Sequence, residues 1–114
     1  MAKNFKMIVF TRPHEGREDE YNDWYQNRHL GEVIATPGFT AARRFKLSGK
    51  LSEDMPAYPY CAIYEYAADD WAVPFNALSA RAASGEIFMT DAINTEDLQF
   101  LVYEEFGDEV RRVA

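Results

Sequence analysis

The sequence predicts an α+β domain built on one antiparallel sheet. Three observations lead there. Four short runs, at 5–11, 39–47, 57–67 and 98–106, are rich in aromatic and β-branched residues and are bounded by Gly, Pro or polar connections. Two stretches, 17–36 and 69–84, carry helix signals. Their order along the chain is β-α-β-β-α-β.

Phe5 to Thr11 (FKMIVFT) is a compact apolar strand, broken by Pro13 and Gly16. Arg17 to Thr36 reads as a helix. Acids crowd its first turns (Glu18, Asp19, Glu20), where the helix dipole favours them. Tyr21, Tyr25, His29 and Val33 recur every four residues and form one stripe. Pro37-Gly38 ends the helix. Phe39 to Leu47 alternates, which places Phe39, Ala41, Arg43, Phe45 and Leu47 on one face and Thr40, Ala42, Arg44 and Lys46 on the other. A polar connection, Ser48 to Pro56, leads to the strand Ala57 to Ala67, whose Tyr58, Tyr60, Ala62, Tyr64 and Tyr66 share a face. Pro59 falls near its start, where a missing N–H does least harm.

Asp69 reads as the N-cap of a second helix ending near Ser84, with Pro74 in its first turns and Gly85 closing it. Residues 87–97 read as a loop with a short helical turn, and Leu98 to Phe106 as the last strand. The charged tail, 107–114, is expected to be frayed or a short helix. Two interleaved β-α-β units of this order make a ferredoxin-like βαββαβ fold, here a single domain over 1–114. Helices cover one sheet face, yet both faces carry apolar residues. The expected cover for the second face is another copy, giving a homodimer in which two sheets close into a dimeric α/β barrel.

Composition bounds the function. A net charge of −7 disfavours nucleic acid and anionic membranes, since binding a polyanion needs a basic face. No apolar run approaches the roughly 20 residues of a membrane span, and Met1 to Phe5 has no signal-peptide pattern. Cys61 is the one cysteine and reads as a buried structural thiol, which with the other features points to the cytoplasm. Eight Phe, seven Tyr and two Trp supply apolar area together with hydroxyls that want partners, a combination shared by cores and small-molecule pockets.

The stretch EDEYNDWYQNRHLGEVIATPGFTAARRFKL, beginning at Glu18, resembles the dimeric α/β-barrel superfamily, in particular its EthD-like branch. The resemblance is carried by Tyr21, Trp24, Tyr25 and His29, by Pro37-Gly38-Phe39, and by Arg44-Phe45. It implies a pocket between sheet and helices, faced by His29. The superfamily includes polyketide cyclases, cofactor-free monooxygenases of aromatic substrates, lactone isomerases, haem-handling enzymes and proteins with no known reaction.

His29 is the sharpest candidate, because an imidazole exchanges protons near neutral pH. The alternative is a buried, hydrogen-bonded structural histidine. Tyr25 lies one turn before it and is the second catalytic candidate. Tyr60, Tyr64, Trp24 and Arg44 are candidates for binding substrate. A tyrosine hydroxyl can hold an oxyanion, and Arg44 can pair with a carboxylate or phenolate. The simpler readings are aromatic packing for the Tyr and Trp residues, including Trp71, and an ion pair with Glu65 or Glu104 for Arg44. His14 reads as a solvated loop residue, and Asp91 as a group that could orient a histidine. Two His without paired spacing give no metal signature, and no glycine-rich phosphate loop appears. The expectation is an enzyme without cofactor, acting by proton transfer on an aromatic or polyketide-like carbonyl compound. Haem on His29 is a lesser option and flavin a smaller one. The competing expectation is a non-catalytic protein that binds a small hydrophobic or aromatic metabolite.

Overall fold

The computed structural model describes residues 1–113. Strands β1 (Lys3–Thr11), β2 (Phe39–Lys46), β3 (Tyr60–Ala68) and β4 (Gln99–Glu104) form one sheet in the order β2-β3-β1-β4, antiparallel throughout. Helix α1 (Glu18–Trp24) runs through one π-helical turn (Tyr25–His29) into α2 (Leu30–Ile34). Helix α3 (Ala72–Ala83) follows β3. This is the ferredoxin-like α+β arrangement that the element order predicts.

The alternation in β1 and β3 sets the core. Phe5, Met7, Val9 and Thr11 are all buried, and the ladder places them beside Tyr66, Tyr64, Ala62 and Tyr60, which are buried too. Tyr21, Tyr25, Leu30 and Val33 of the helical stripe cover them. Burying each large apolar side chain contributes roughly 1.5–3 kcal/mol. Tyr21 is fully buried and its hydroxyl hydrogen-bonds with the Thr11 hydroxyl, so its polar tip is satisfied inside the core.

Four local expectations are corrected. The β2 alternation is broken by a bulge between Phe39 and Ala41, where Thr40 is the extra residue. Phe39 pairs with Tyr66 and Arg44 with Ala62, so both point to the helix side, while Ala41, Arg43 and Phe45 take the open face. The third strand begins at Tyr60 rather than Ala57, because Pro59 lacks the N–H a ladder needs, although its carbonyl still accepts from the Leu47 N–H at 2.9 Å. The second helix begins at Ala72; Asp70, not Asp69, accepts the Ala72 N–H at 2.9 Å. Residues 87–97 form turns without a helical turn, pinned by a bridge between Pro13 and Ile93. Of the two forms expected for the tail, the short helix is absent over 107–113.

Gly38 fits its site for a physical reason. Its φ is +97°, and a Cβ there would lie 3.3 Å from the Ala67 carbonyl oxygen. That approach lets the Ala67 N–H donate to the Gly38 carbonyl at 3.1 Å.

The other sheet face has no helix over it. Ile8, Phe10, Cys61 and Ile63 are half-buried there, and Phe45, Leu101 and Tyr103 are exposed. Cys61 is therefore a half-buried thiol on the open face rather than a core thiol. No described helix is long and apolar enough to cross a membrane.

Candidate functional site

The stripe residues and the tyrosine strand converge on one cavity between the helices and the sheet. Its volume is about 240 Å³. His29, Tyr25 and Tyr64 bring the aromatic polar groups, α3 brings Phe75, Leu78, Ser79 and Ala82, and Ile87 and Met89 come from the loop after α3. Phe100 of β4 closes one side. Ser79 is the only other lining residue with a polar side chain, and none of the lining side chains is charged at neutral pH. The α3 contribution has a readable signal in its spacing, since 75, 78, 79 and 82 follow one helical face. Met89 and Ile87 sit in an aperiodic loop and carry no such signal.

His29 is held by aromatic rings. Its imidazole stacks on Trp24, with centroids 4.3 Å apart at 26°, and meets the edge of Tyr25 at 5.0 Å and 90°. Its Nδ1 is buried without a hydrogen-bond partner among the described residues. Burial pushes the imidazole pKa down to about 4, against a smaller upward pull from Glu32. The ring is therefore neutral at pH 7, a weaker base than an exposed imidazole but with its lone pair free, and its titration lies well below the neutral range expected from the sequence.

Tyr64 donates its hydroxyl hydrogen to the Tyr25 hydroxyl at 3.4 Å, leaving the Tyr25 proton for another acceptor. Burial raises the pKa of both, and for Tyr64 the neighbouring Tyr25 adds to the rise. Both stay protonated at neutral pH and act as donors. Trp24 does not line the cavity. It stands behind His29, anchored by its Nε1–H donating to the Phe88 carbonyl at 3.0 Å.

Arg44 also stays outside the cavity. Its guanidinium lies 4.7 Å from the Tyr25 ring centroid, 5.3 Å from that of Tyr60 and 5.5 Å from that of Tyr21. It donates to the Asn22 side-chain oxygen at 2.7 Å. Neither acid suggested for it is its partner: Glu65 pairs with Lys6 at 3.2 Å and Glu104 with Lys3 at 3.6 Å. Asn22, which the sequence did not single out, thus sets the Arg44 position. Tyr60 faces away from His29. Its hydroxyl donates to Glu18 and accepts from Asn22. It helps wall a larger hollow of about 590 Å³ at the open-face end of the sheet, with Phe10, Arg12, Phe45, Tyr58 and Cys61. That hollow is bigger, but the convergent aromatic polar groups are in the smaller one, which is why the smaller is the candidate site.

His14 is exposed, as its loop position suggests. Asp91 is engaged elsewhere, accepting from Arg17 at 2.6 Å, and does not orient His29. Among the described residues no three His, Cys, Asp or Glu side chains gather as metal ligands. At about 240 Å³ the cavity falls below the roughly 300–1,000 Å³ of sites for drug-sized ligands. It does not fit a haem, and no step involves one.

Solved structures share this fold. A candidate monooxygenase of Shewanella loihica PV-4 is 14% identical, with 99% of each chain covered and a TM-score of 0.59. HapK from Hahella chejuensis is 16% identical over 96% of this chain and 99% of that one, with a TM-score of 0.59. An EthD-like protein from Ralstonia eutropha JMP134 is 20% identical over 90% of this chain and 91% of that one, with a TM-score of 0.58. This chain has their fold. No family model matches it, and no curated protein does.

Proposed function

We propose that the chain is an EthD-like enzyme that moves a proton on an uncharged aromatic or polyketide-like carbonyl compound, without a cofactor. One observation carries this reading. A neutral histidine with a buried, unpartnered Nδ1 shares an apolar cavity with two tyrosine donors. His29 is the base that removes a proton beside the carbonyl. Tyr25 donates to the carbonyl oxygen as it gains charge, and Tyr64 supports it by donating to the Tyr25 hydroxyl. Trp24 fixes the plane of the imidazole. Arg44 places positive charge over the Tyr25 ring, which favours charge build-up on an oxygen that Tyr25 holds. The names of the similar structures, a candidate monooxygenase and EthD-like proteins, agree with an enzyme. The chain acts as a homodimer joined through its open sheet face, and its single cysteine suits the reducing cytoplasm.

The test is exchange of the α-hydrogens of neutral aryl ketones with deuterated solvent, followed by NMR. The wild-type protein accelerates exchange, with a rate that is flat above about pH 5 and falls through about pH 4 as His29 gains its proton. His29→Gln loses roughly 10²–10⁴-fold. Exchange at the wild-type rate in that variant removes His29 from the role. Saturable binding without any exchange supports the metabolite-binding reading instead.

A further inference from the structure

The His29 cavity is small, but it is not closed. Phe75 and Phe100, which form part of its wall, are also walls of a second hollow of about 370 Å³ between α3 and β4. Phe5, Trp71, Leu101 and Val102 complete that groove, with Glu104 the one charged residue along it. The groove is exposed where the rest of the helix-side sheet face is covered. On β1, Met7 and Val9 are nearly inaccessible, whereas Phe100, beside Val9 in the ladder, is 50% exposed. Trp71 is 48% exposed. Its ring nevertheless has a fixed setting, packed on Phe75 at 5.6 Å, with its carbonyl accepting from the Tyr66 hydroxyl at 2.9 Å.

We propose that this groove is the tail subsite of the His29 site, holding the apolar tail of an uncharged ligand whose oxygen-bearing ring sits at His29, Tyr25 and Tyr64. The inference rests on reading the His29 cavity as a ligand site. Three features select this occupant. The two hollows share Phe75 and Phe100, so these two rings are the boundary a molecule longer than the cavity crosses to enter the groove. The cavity alone is smaller than sites that bury a drug-sized ligand, so such a ligand needs the extra wall. Charge does not favour an anion, because no cation lines either hollow and the one charged lining residue, Glu104, is already paired with Lys3.

The experiment measures binding of 4-alkylphenols, from phenol to 4-octylphenol, at neutral pH. Wild-type affinity rises about fourfold per methylene once the tail passes Phe75 and Phe100. Trp71 emission shifts to the blue only with the longer members, and Trp71→Phe removes that shift. Val102→Asp and Trp71→Ala bind phenol as the wild type does and lose at least tenfold of the gain from the octyl chain. Two variants are used because Val102 also packs on the core. The proposal is overturned if affinity is flat with chain length, or if both variants keep the full gain. It is also overturned if Trp71 in the free protein resists iodide quenching, because a second copy then fills the groove. In those cases phenol binding that is weakened in His29→Leu leaves the cavity reading standing. If phenol does not bind, or binds His29→Leu as well as wild type, the cavity reading falls and the tail subsite falls with it.

Discussion

His29 sits where an ionised imidazole is costly and a neutral one is well packed. Trp24 and Tyr25 enclose it, and no carboxylate bonds to it. The consequence for stability has a definite sign. In the unfolded chain the imidazole gains its proton near pH 6.5, whereas in the folded chain burial delays this to about pH 4. Between these values the unfolded state binds more protons. Stability is therefore highest above about pH 6.5 and falls as the pH drops toward 4, with His29 contributing at most about 3 kcal/mol to the loss. The melting temperature of wild type should fall further between pH 7 and 4.5 than that of His29→Leu, which has no ring to titrate; a variant with the wild-type pH slope would contradict the burial. The stripe that contains Tyr25 and His29 was legible because four-residue spacing survives any packing detail. The neutrality of His29 was not, because it depends on which rings close around it.

Two irregularities at the scale of elements aim the site. In a regular α-helix, residues four apart are offset by about 40° per step, so the stripe from Tyr21 to Val33 would drift off one face. The π turn over Tyr25–His29, closed by the Leu30 N–H donating to the Tyr25 carbonyl, adds a residue to that turn and offsets part of the drift. Tyr21, Tyr25 and Val33 are consequently all buried, and His29 reaches the cavity. The β2 bulge does the equivalent in the sheet. Strict alternation separates Phe39 from Arg44; the extra Thr40 puts both on the helix side, where Arg44 meets the tyrosine rings. Deleting Thr40 leaves Phe39 and Ala41 adjacent, opposite Tyr66 and Glu65, so the ladder closes regularly with Arg44 in place. That variant should lie within about 1 kcal/mol of wild type in urea melts, and a loss of roughly 3 kcal/mol or more would show that the bulge does not set the facing. Neither irregularity has a local signature, since YQNRH and FTAA are compatible with regular helix and strand.

For the whole molecule, the open sheet face is the surface on which the proposed second copy would sit. Ile8, Phe10, Phe45, Ile63, Leu101 and Tyr103 form an apolar surface that no element of the chain covers. Surfaces of this kind are association sites. Light scattering on the eluting protein should give about twice the 13.1 kDa chain mass, and Ile63→Glu, which places a charge amid that face, should shift it toward the monomer. A wild-type monomer at micromolar concentration would leave the face without its second copy.

The sequence by itself determined the element order, the antiparallel α+β class, the helical stripe of Tyr21, Tyr25, His29 and Val33, and the tyrosine face of β3. These follow from periodicity and punctuation, which are local and survive without knowledge of neighbours. Only the tertiary structure decided that Tyr64 and not Tyr60 joins His29, that Arg44 lies against the Tyr25 ring with Asn22 as its anchor, and that Phe75 and Phe100 wall both the cavity and the hollow between α3 and β4. Those outcomes depend on register, on one bulge and one π turn, and on which side chains far apart in sequence close around the same space. A single-residue shift in any of them would exchange one face for the other.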